Sequence, residues 1–414
     1  MRDTTLLRTL LPFRRLSVHG VKIDEIGDVI VAVSVRGVSR CGGCGRKRPR
    51  YDRGDGKPRR WRHLDVANRR CYLEAELCRV DCPNCGVKVE AVSWAEQGAR
   101  HTRQFDDLVT WLARCMDKTA VSVFSGVSWR TVGRIIERVV RRRKDPVDLT
   151  KLRAIAIDEL SFRKGHHYLT LVTDLDSGRI VWGKEGRTAE TLSEFFDELG
   201  EETCKQIEWT AIDMCAAYRK AIRAKLPNAK IVYDRFHVQQ LVSEAVDETR
   251  REDWRQTKGT PEGDAIKRSR YALLKSPWNL TPSQEKSLAS VQANNKRVYR
   301  AYLLKETFVD IYRRLLQPGW ARRRMNSWLA WASRSRLPAF VKLAGTIRKH
   351  LDGILRYFET GYTTGVAEGW NNKARLATRQ AYGFHSATAV LAMIDLRCSR
   401  IDVPLPRATR SNTR

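Results

Sequence analysis

The sequence predicts a multidomain α+β chain. Two small N-terminal modules precede an α/β core that a long helical insertion interrupts. Three observations predict this. Two Cys-x-x-Cys-Gly turns, Cys41-Gly-Gly-Cys44-Gly and Cys82-Pro-Asn-Cys85-Gly, lie near the start. Helical periodicity over residues 103–143 ends in a basic run. From Leu152 the pattern changes to apolar runs of strand length separated by helices.

Composition narrows the function. With 414 residues the chain suits several domains, and 42% hydrophobic content supports real cores. A net charge of +30 points to a polyanionic partner, because Lys and Arg gain by displacing counterions from a phosphate backbone. Ribosomal and membrane-surface proteins share the basicity but seldom carry twelve tryptophans. No run of 18 apolar residues offers a membrane span, and the opening MRDTTLLRTLLPFRRL is too broken by arginine for a secretory segment. The expected location is the cytoplasm, so the ten cysteines read as thiols or metal ligands rather than disulfides.

Residues 1–40 read as an N-terminal segment with one strand hairpin, VKIDEIGDVIVAVSVRG. Residues 41–95 read as a zinc-binding module. The CxxC spacing lets two thiolates reach one ion, and the glycines permit the tight turn. Cys41, Cys44, Cys82 and Cys85 together make four soft ligands for a closed tetrahedral, structural Zn2+ site. Cys78 and His63 are weaker alternatives. The alternating stretch Arg69–Val80 supplies a strand for a small zinc ribbon. Cys71, Cys115, Cys204, Cys215 and Cys398 sit in apolar patterns and read as core thiols.

Residues 100–145 read as a helix-turn-helix. Phe105, Leu108, Val109 and Leu112 form one apolar stripe, and a short helix spans Thr119–Phe124. Gly126-Val127-Ser128 supplies a turn and an N-cap. The next helix buries Val132, Ile135, Ile136 and Val139. It presents Arg130, Arg134 and Arg138, with Thr131, as a recognition helix in the major groove would. A basic solvated helix has the same pattern.

The core opens with LRAIAIDE, ending in Asp158. HHYLTLVTD and GRIVWGKE follow, then a helix over Thr188–Leu199, the strand IEWTAID ending in Asp213, a helix over Ala216–Leu226, and AKIVYD ending at Asp234. Three strands, helix, strand, helix, strand, helix is the ribonuclease H-like order. In that fold the first and fourth strands are neighbours, so Asp158 and Asp213 are expected to meet. Two adjacent carboxylates repel unless a cation bridges them, and Mg2+ takes one or two carboxylates plus phosphate oxygens.

A third acid lies in TTGVAEGWNNKARLATRQAYGF, residues 363–384. At about 100° per residue, Glu368, Asn372, Arg375 and Arg379 share one stripe, with Val366, Trp370, Ala374 and Ala377 opposite. A single carboxylate among amides and arginines suits a metal ion or a phosphate backbone. With Asp158 and Asp213 it would complete a site for two Mg2+ ions, Mn2+ substituting. A lone strand-end Asp would otherwise serve as a turn or helix cap.

Together, CGGCG, CPNCG, KTAVSVFSGVSWRTVGRIIERVV, IAIDELSFRKGHHYLTLVTDLDSGRIVW, IDM, DRFHV and VAEGWNNKARLATRQAYGF resemble the bacterial insertion-sequence transposases of the ISL3 family. The resemblance runs from about Cys41 to Cys398. It implies a DDE transposase with Asp158, Asp213 and Glu368 as catalytic acids and a helical insertion between the second Asp and the Glu. Trp370 and Ala374 depart from the smaller or aliphatic residues expected there. The resemblance also implies that Asp234 and His237, in DRFHV, lie beside the active site, with His237 positioning DNA. The alternative is a hydrogen-bonded pair holding the core to the insertion. The implied partners are double-stranded DNA, as inverted-repeat ends and target, and further copies of the chain in a homodimer or higher oligomer on the bacterial nucleoid.

The remaining bounds are 151–237 and 349–400 for the two parts of the core, 238–348 for the insertion and 401–414 for a disordered basic tail. Trp254, Trp278, Trp320, Trp328 and Trp331 in the insertion read mostly as helical core. Arg322, Arg323 and Arg324 are candidates for phosphate contact, and His166 and His167 have no metal role. A catalytically silent DNA-binding regulator on the same core is the alternative function. A metal-dependent nuclease shares the core but does not need two N-terminal DNA-binding modules.

Overall fold

The computed structural model of the chain describes residues 3–163, 165, 167–314, 317–365, 384, 386–399 and 401–405. Glu368, Asn372, Arg375 and Arg379 lie outside the described residues. The chain divides into two units, one running to Asp145 and rejoined from Asp395, the other running from Pro146 to Ile394.

In the first unit, helix α1 (Asp3–Leu10) precedes the hairpin β1 (Leu16–Ile23) and β2 (Val29–Val35). Strands β3 (Arg50–Asp52), β4 (Arg59–Val66), β5 (Arg69–Ala75), β6 (Arg79–Val80) and β7 (Lys88–Val89) follow. The stretch Arg69–Val80 is thus two strands rather than one, and they join different sheets. β5 turns Cys71, Leu73 and Ala75 inward and pairs parallel with β2, in a sheet ordered β1-β2-β5-β4. The ribbon beside the cysteines is the small sheet β3-β6-β7. The reason is apolar demand: β5 completes a core with Val18, Val31, Trp61 and Trp94 that three two- or three-residue strands cannot offer. Ala67 and Asn68, at φ 47° and 62°, form the left-handed turn between β4 and β5.

Helices α2 (Arg103–Cys115), α3 (Lys118–Ser125) and α4 (Trp129–Arg143) complete this unit. Thr102, Asp117 and Ser128 cap their N-termini, and Gly126 at φ 66° closes α3. Val132, Ile135, Ile136 and Val139 are buried as the period requires. Two expectations fail here. Cys115, the last residue of α2, is exposed, and Cys215 is only half-buried, whereas Cys71, Cys204 and Cys398 are buried. The start of the tail is packed rather than disordered: Ile401 and Val403 are buried, and Arg114 donates to Ile401 O at 3.3 Å.

The second unit contains β8 (Ala154–Arg163), β9 (His167–Asp174), β10 (Ile180–Glu185), α5 (Ala189–Leu199), α6 (Glu201–Gln206), β11 (Trp209–Ile212), α7 (Ala216–Lys225), β12 (Lys230–Tyr233) and α8 (Arg235–Gln256). The sheet order is β10-β9-β8-β11-β12. β8, β9 and β10 form an antiparallel meander, while β11 runs parallel to both β8 and β12. Asp158 does not end its strand. β8 continues to Arg163 because Glu159–Ser161 still pair with β9, whereas its pairing with β11 stops at Ala156↔Ala211.

After α8 the insertion is helical, with Pro282–Asn294, Lys296–Arg313, Pro318–Ser333 and Pro338–Lys349 as its long members besides α8. Phe308, Trp328 and Phe340 form its centre, and Trp328 Nε1 donates to Leu304 O at 2.8 Å. Trp254 and Trp331 are partly buried. Trp278 and Trp320 are not core: they are 58% and 57% exposed and stack under the guanidinium groups of Arg313 and Arg323. Among the described residues, no helix is long and apolar enough to cross a membrane.

Candidate functional site

The sheet brings the first two acids together. β8 and β11 are hydrogen-bonded neighbours whose last pair is Ala156↔Ala211. Two residues further along lie Asp158, still in β8, and Asp213, just past the end of β11, and such neighbouring strands run about 4.8 Å apart. Glu159 N–H donates to Asp158 Oδ1 at 2.7 Å, and Cys215 N–H donates to Asp213 Oδ1 at 2.9 Å. The first bond fixes the Asp158 carboxylate within β8, and the second fixes that of Asp213 in the turn that leads into α7. Glu159 belongs to the same neighbourhood, on the opposite face of β8, and sequence reasoning missed it. Burial raises its pKa, Asp213 raises it further, and a hydrogen bond from Tyr218 opposes both. Tyr218 is itself buried, with its hydroxyl 2.9 Å from Thr170 Oγ1. The signal for Glu159 was its place in AIAIDEL, an acid where strand alternation demands an inward side chain.

Asp234 is a hub rather than a lone acid. Only 1% exposed, it caps α8 by accepting from the N–H groups of Phe236 and His237. His237 Nδ1 lies 3.1 Å from its Oδ2. Thr363 Oγ1 and Thr364 N–H donate to its Oδ1, which fixes the segment leading into residues 366–383. Burial pushes Asp234 up, but the bonds from His237 and Thr363 outweigh it and hold its pKa below the ordinary value. The bond to Asp234 raises His237 against burial, and the charges of Asp234, Asp213 and Asp158 add to that rise. Asp234 therefore ties α8 and the segment before residue 366 together, and the charges of Asp213 and Asp158 reach His237.

The pair has a pH signature. His237 binds its proton more tightly folded than unfolded, so its contribution is complete below the ordinary histidine value of about 6.5 and is lost as pH rises through the raised folded value. Asp234 contributes above the ordinary carboxyl value of about 3.9 and is lost as pH falls through its lowered folded value. The expected result is that Asp234→Asn lowers the His237 pKa in an NMR titration and flattens the alkaline limb of the stability profile. An unmoved His237 titration would refute the coupling.

Cys41, Cys44, Cys82 and Cys85 converge, with their sulfurs all within 4.8 Å of one another. The two knuckles match: Gly45 N–H donates to Cys41 O and Gly86 N–H to Cys82 O, both at 2.8 Å, with Gly45 and Gly86 at φ 70° and 69°. At Gly43 a side chain would be crowded, since a Cβ there would meet Cys85 Sγ at 3.0 Å. Burial and the neighbouring sulfurs push Cys85 up to about 12, so four thiolates this close need a cation. The donor set suits Zn2+ with no open position. Cys78 and His63 are elsewhere: Cys78 N–H bonds Glu90, and His63 Nδ1 lies 2.9 Å from Thr102 Oγ1.

On α4, Arg130 and Arg134 are exposed and Thr131 is half-buried. Arg138 does not share their face. Eight residues turn a helix about 80° past two full turns, and this rotation aims Arg138 at α2. There it forms a bidentate pair with buried Asp106, at 2.8 Å for both bonds. Burial pushes Asp106 up to about 6 even so. Arg142 and Arg143 are likewise taken, by Glu96 and Asp107. Arg138→Ala is therefore expected to cost about 2–3 kcal/mol of stability by leaving a buried carboxylate unpaired. Arg134→Ala should leave the melting temperature unchanged and weaken DNA binding. Equal melting temperatures for the two variants would contradict the assignment.

Comparison with known proteins follows the same three regions. A family model described as a zinc-finger of transposase IS204/IS1001/IS1096/IS1165 matches residues 37–85. One described as the helix-turn-helix domain of transposase family ISL3 matches residues 90–140. The family model DDE_Tnp_ISL3, described as transposase, matches residues 155–394. The chain is 39% identical over 437 residues to the transposase for insertion sequence element IS1557 of Mycobacterium tuberculosis, strains CDC 1551 / Oshkosh and ATCC 25618 / H37Rv, covering 98% of each chain. It is 31% identical over 331 residues to the transposase for insertion sequence element IS1001 of Bordetella parapertussis, covering 79% of this chain and 81% of that one. With zinc finger, helix-turn-helix and transposase regions in this order, the chain belongs to the ISL3 family of insertion-sequence transposases.

Proposed function

We propose that the second unit is a ribonuclease H-like core that cuts DNA at the inverted-repeat ends of its element and joins the freed 3′-hydroxyls to target phosphates. The observation that supports this is the β8–β11 register, whose last pair, Ala156↔Ala211, stands two residues before Asp158 and Asp213 within the region that matches the transposase family. Glu368 is the proposed third acid. The donor set fits Mg2+: two carboxylates from adjacent strands supply hard oxygen ligands, and their charges add to the rise that the hydrogen bond to Asp234 gives His237. Bound there, Mg2+ would neutralise charge and act as a Lewis acid at the scissile phosphate.

The protein's own groups do the positioning. Asp158 and Asp213 are oriented by the backbone N–H groups of Glu159 and Cys215. His237 keeps its proton to higher pH than a free histidine and presents a cation to a phosphate beside the acids. Asp234 holds His237 and the segment before Glu368 in one frame. Arg130, Thr131 and Arg134 are proposed to read the repeat, and Asn372, Arg375 and Arg379 to hold DNA beside Glu368. Zn2+ on the four cysteines is structural. Two ends must be held together, so at least two copies act in one complex. The test is cleavage of a repeat-bearing duplex in Mg2+ by wild type and Glu368→Gln. Loss of cleavage with retained binding is expected, and cleavage by the variant would remove Glu368 from the site.

A further inference from the structure

The edge of the five-stranded sheet carries positive charge that the cutting chemistry does not use. β12 is the edge strand, and the short helix Leu351–Leu355 covers it. The approach is close: a Cβ on Gly353 would meet the Tyr233 ring at 2.6 Å and Ile231 O at 3.3 Å. Between this helix, β12 and α7 lies a cavity of about 350 Å³, open to solvent on one side. Arg223, Arg348, Lys349, His350 and Arg356 line it, with Tyr233 at its wall.

Its cations are positioned and uncompensated. Arg219 Nη1, from the first turn of α7, lies 3.3 Å from His350 Nε2 and 3.5 Å from Tyr233 Oη. Arg356 Nη1 donates to Ile231 O at 3.0 Å. Among the described residues, no carboxylate pairs with Arg219, Arg223, Arg348, Lys349 or Arg356. The acid in the lining, Asp352, is taken by Arg322 at 3.0 Å. Arg142 and Arg143 show the contrast, since each sits against an acid. Burial and the charges of Arg219, Lys349 and Arg223 hold His350 below the ordinary histidine value. His350 is therefore a neutral ring whose Nε2 accepts from Arg219 and whose Nδ1–H faces Tyr233 Oη, 3.2 Å away. It fixes a guanidinium without supplying a counter-charge. Clustered cations repel one another, and an anion in the cavity relieves that repulsion.

The place of the cavity identifies the anion. Tyr233 pairs with Ile212, the residue before Asp213, so the cavity begins one strand beyond the acids. Arg219 and Arg223, four residues apart on α7, form a row leading away from them. An open basic cavity one strand away from a DNA-cutting centre suits a phosphate of a DNA backbone better than an enclosed small molecule.

We propose that this cavity holds a backbone phosphate of the DNA bound by the catalytic unit, making the edge beyond β12 a DNA contact separate from the helix-turn-helix. The inference rests on the reading of Asp158 and Asp213 as the cutting residues. The test uses the full chain and a duplex of unrelated sequence, with affinity measured across a salt series. Each lost phosphate contact lowers the slope of log Kd against log salt by about 0.9, so Arg223→Gln/Lys349→Gln, which strips two cations from the one phosphate site, should lower it by about 0.9. Arg223→Lys/Lys349→Arg should keep the wild-type slope, and Lys286→Gln/Lys296→Gln, which removes two exposed cations of the insertion, should change it little. Equal slopes for the two glutamine doubles would overturn the proposal. So would an unchanged DNA slope with loss of inorganic triphosphate binding, which would mark a small-anion site. Cleavage by Asp158→Asn would instead refute the reading of the acids while leaving the salt result to stand by itself.

Discussion

Asp158→Asn and Asp213→Asn are each expected to reduce cleavage of a repeat-bearing duplex at least about a thousandfold while repeat binding changes less than about twofold. The amide is close to isosteric, and its oxygen can still accept the N–H of Glu159 within β8 or of Cys215 in the turn into α7, so the local backbone survives. What disappears is one negative charge from a pair on neighbouring strands. His237 gives an independent readout, because both carboxylates help hold its proton. In either variant its pKa should fall, even where no cleavage is assayed. Retained cleavage would remove that residue from the chemistry, and an unmoved His237 would mean that the carboxylates do not face it.

The second large effect is at the knuckles. Full-length protein should contain one zinc per chain, and Cys41→Ala or Cys82→Ala should lose it. The apolar cluster around the sulfurs is Cys41, Val80 and Cys82 with Cys85 packed against it, too small to hold β3-β6-β7 without a metal. Structural zinc contributes about 10–16 kcal/mol of apparent binding free energy in small fingers, which here is folding free energy of the ribbon. Repeat binding should fall at least about tenfold, because a ligand's loss removes the site outright. The second unit has its own core and should melt as before. Cys71→Ala is the control. Cys71 packs in the other sheet, where burial pushes its pKa up to about 11, so its loss should leave zinc content unchanged. Zinc retained by the Cys41 or Cys82 variant would refute the ligand set.

Local pattern made the helix-turn-helix legible. Its apolar period, the Gly126 turn and the Ser128 cap all act within a few residues. The strand order of the core was legible for the same reason, since each apolar run has turn residues at its ends. What escaped depends on distant partners. Nothing in CYLEAEL says that β5 will pair with β2 instead of a ribbon strand. Arg138 looks like its neighbours Arg130 and Arg134 until Asp106, 32 residues earlier, claims it. The strand through Asp158 runs on because β9 remains beside it after β11 has stopped. Asp234 reads as a cap, and its bonds to Thr363 and Thr364 cross about 130 residues. The cavity at β12 draws on α7 and on residues 348–356, so no single stretch displays it.

The most direct test is excision of a marked element, flanked by this gene's own repeats, from a plasmid in cells, comparing wild type with Glu368→Gln at matched expression. Excision by the wild type alone is the expected result and would establish an active transposase with Glu368 in its active site. Excision by both would contradict the acid trio, and excision by neither, with both binding the repeats, would mean a DNA-binding protein without cutting activity.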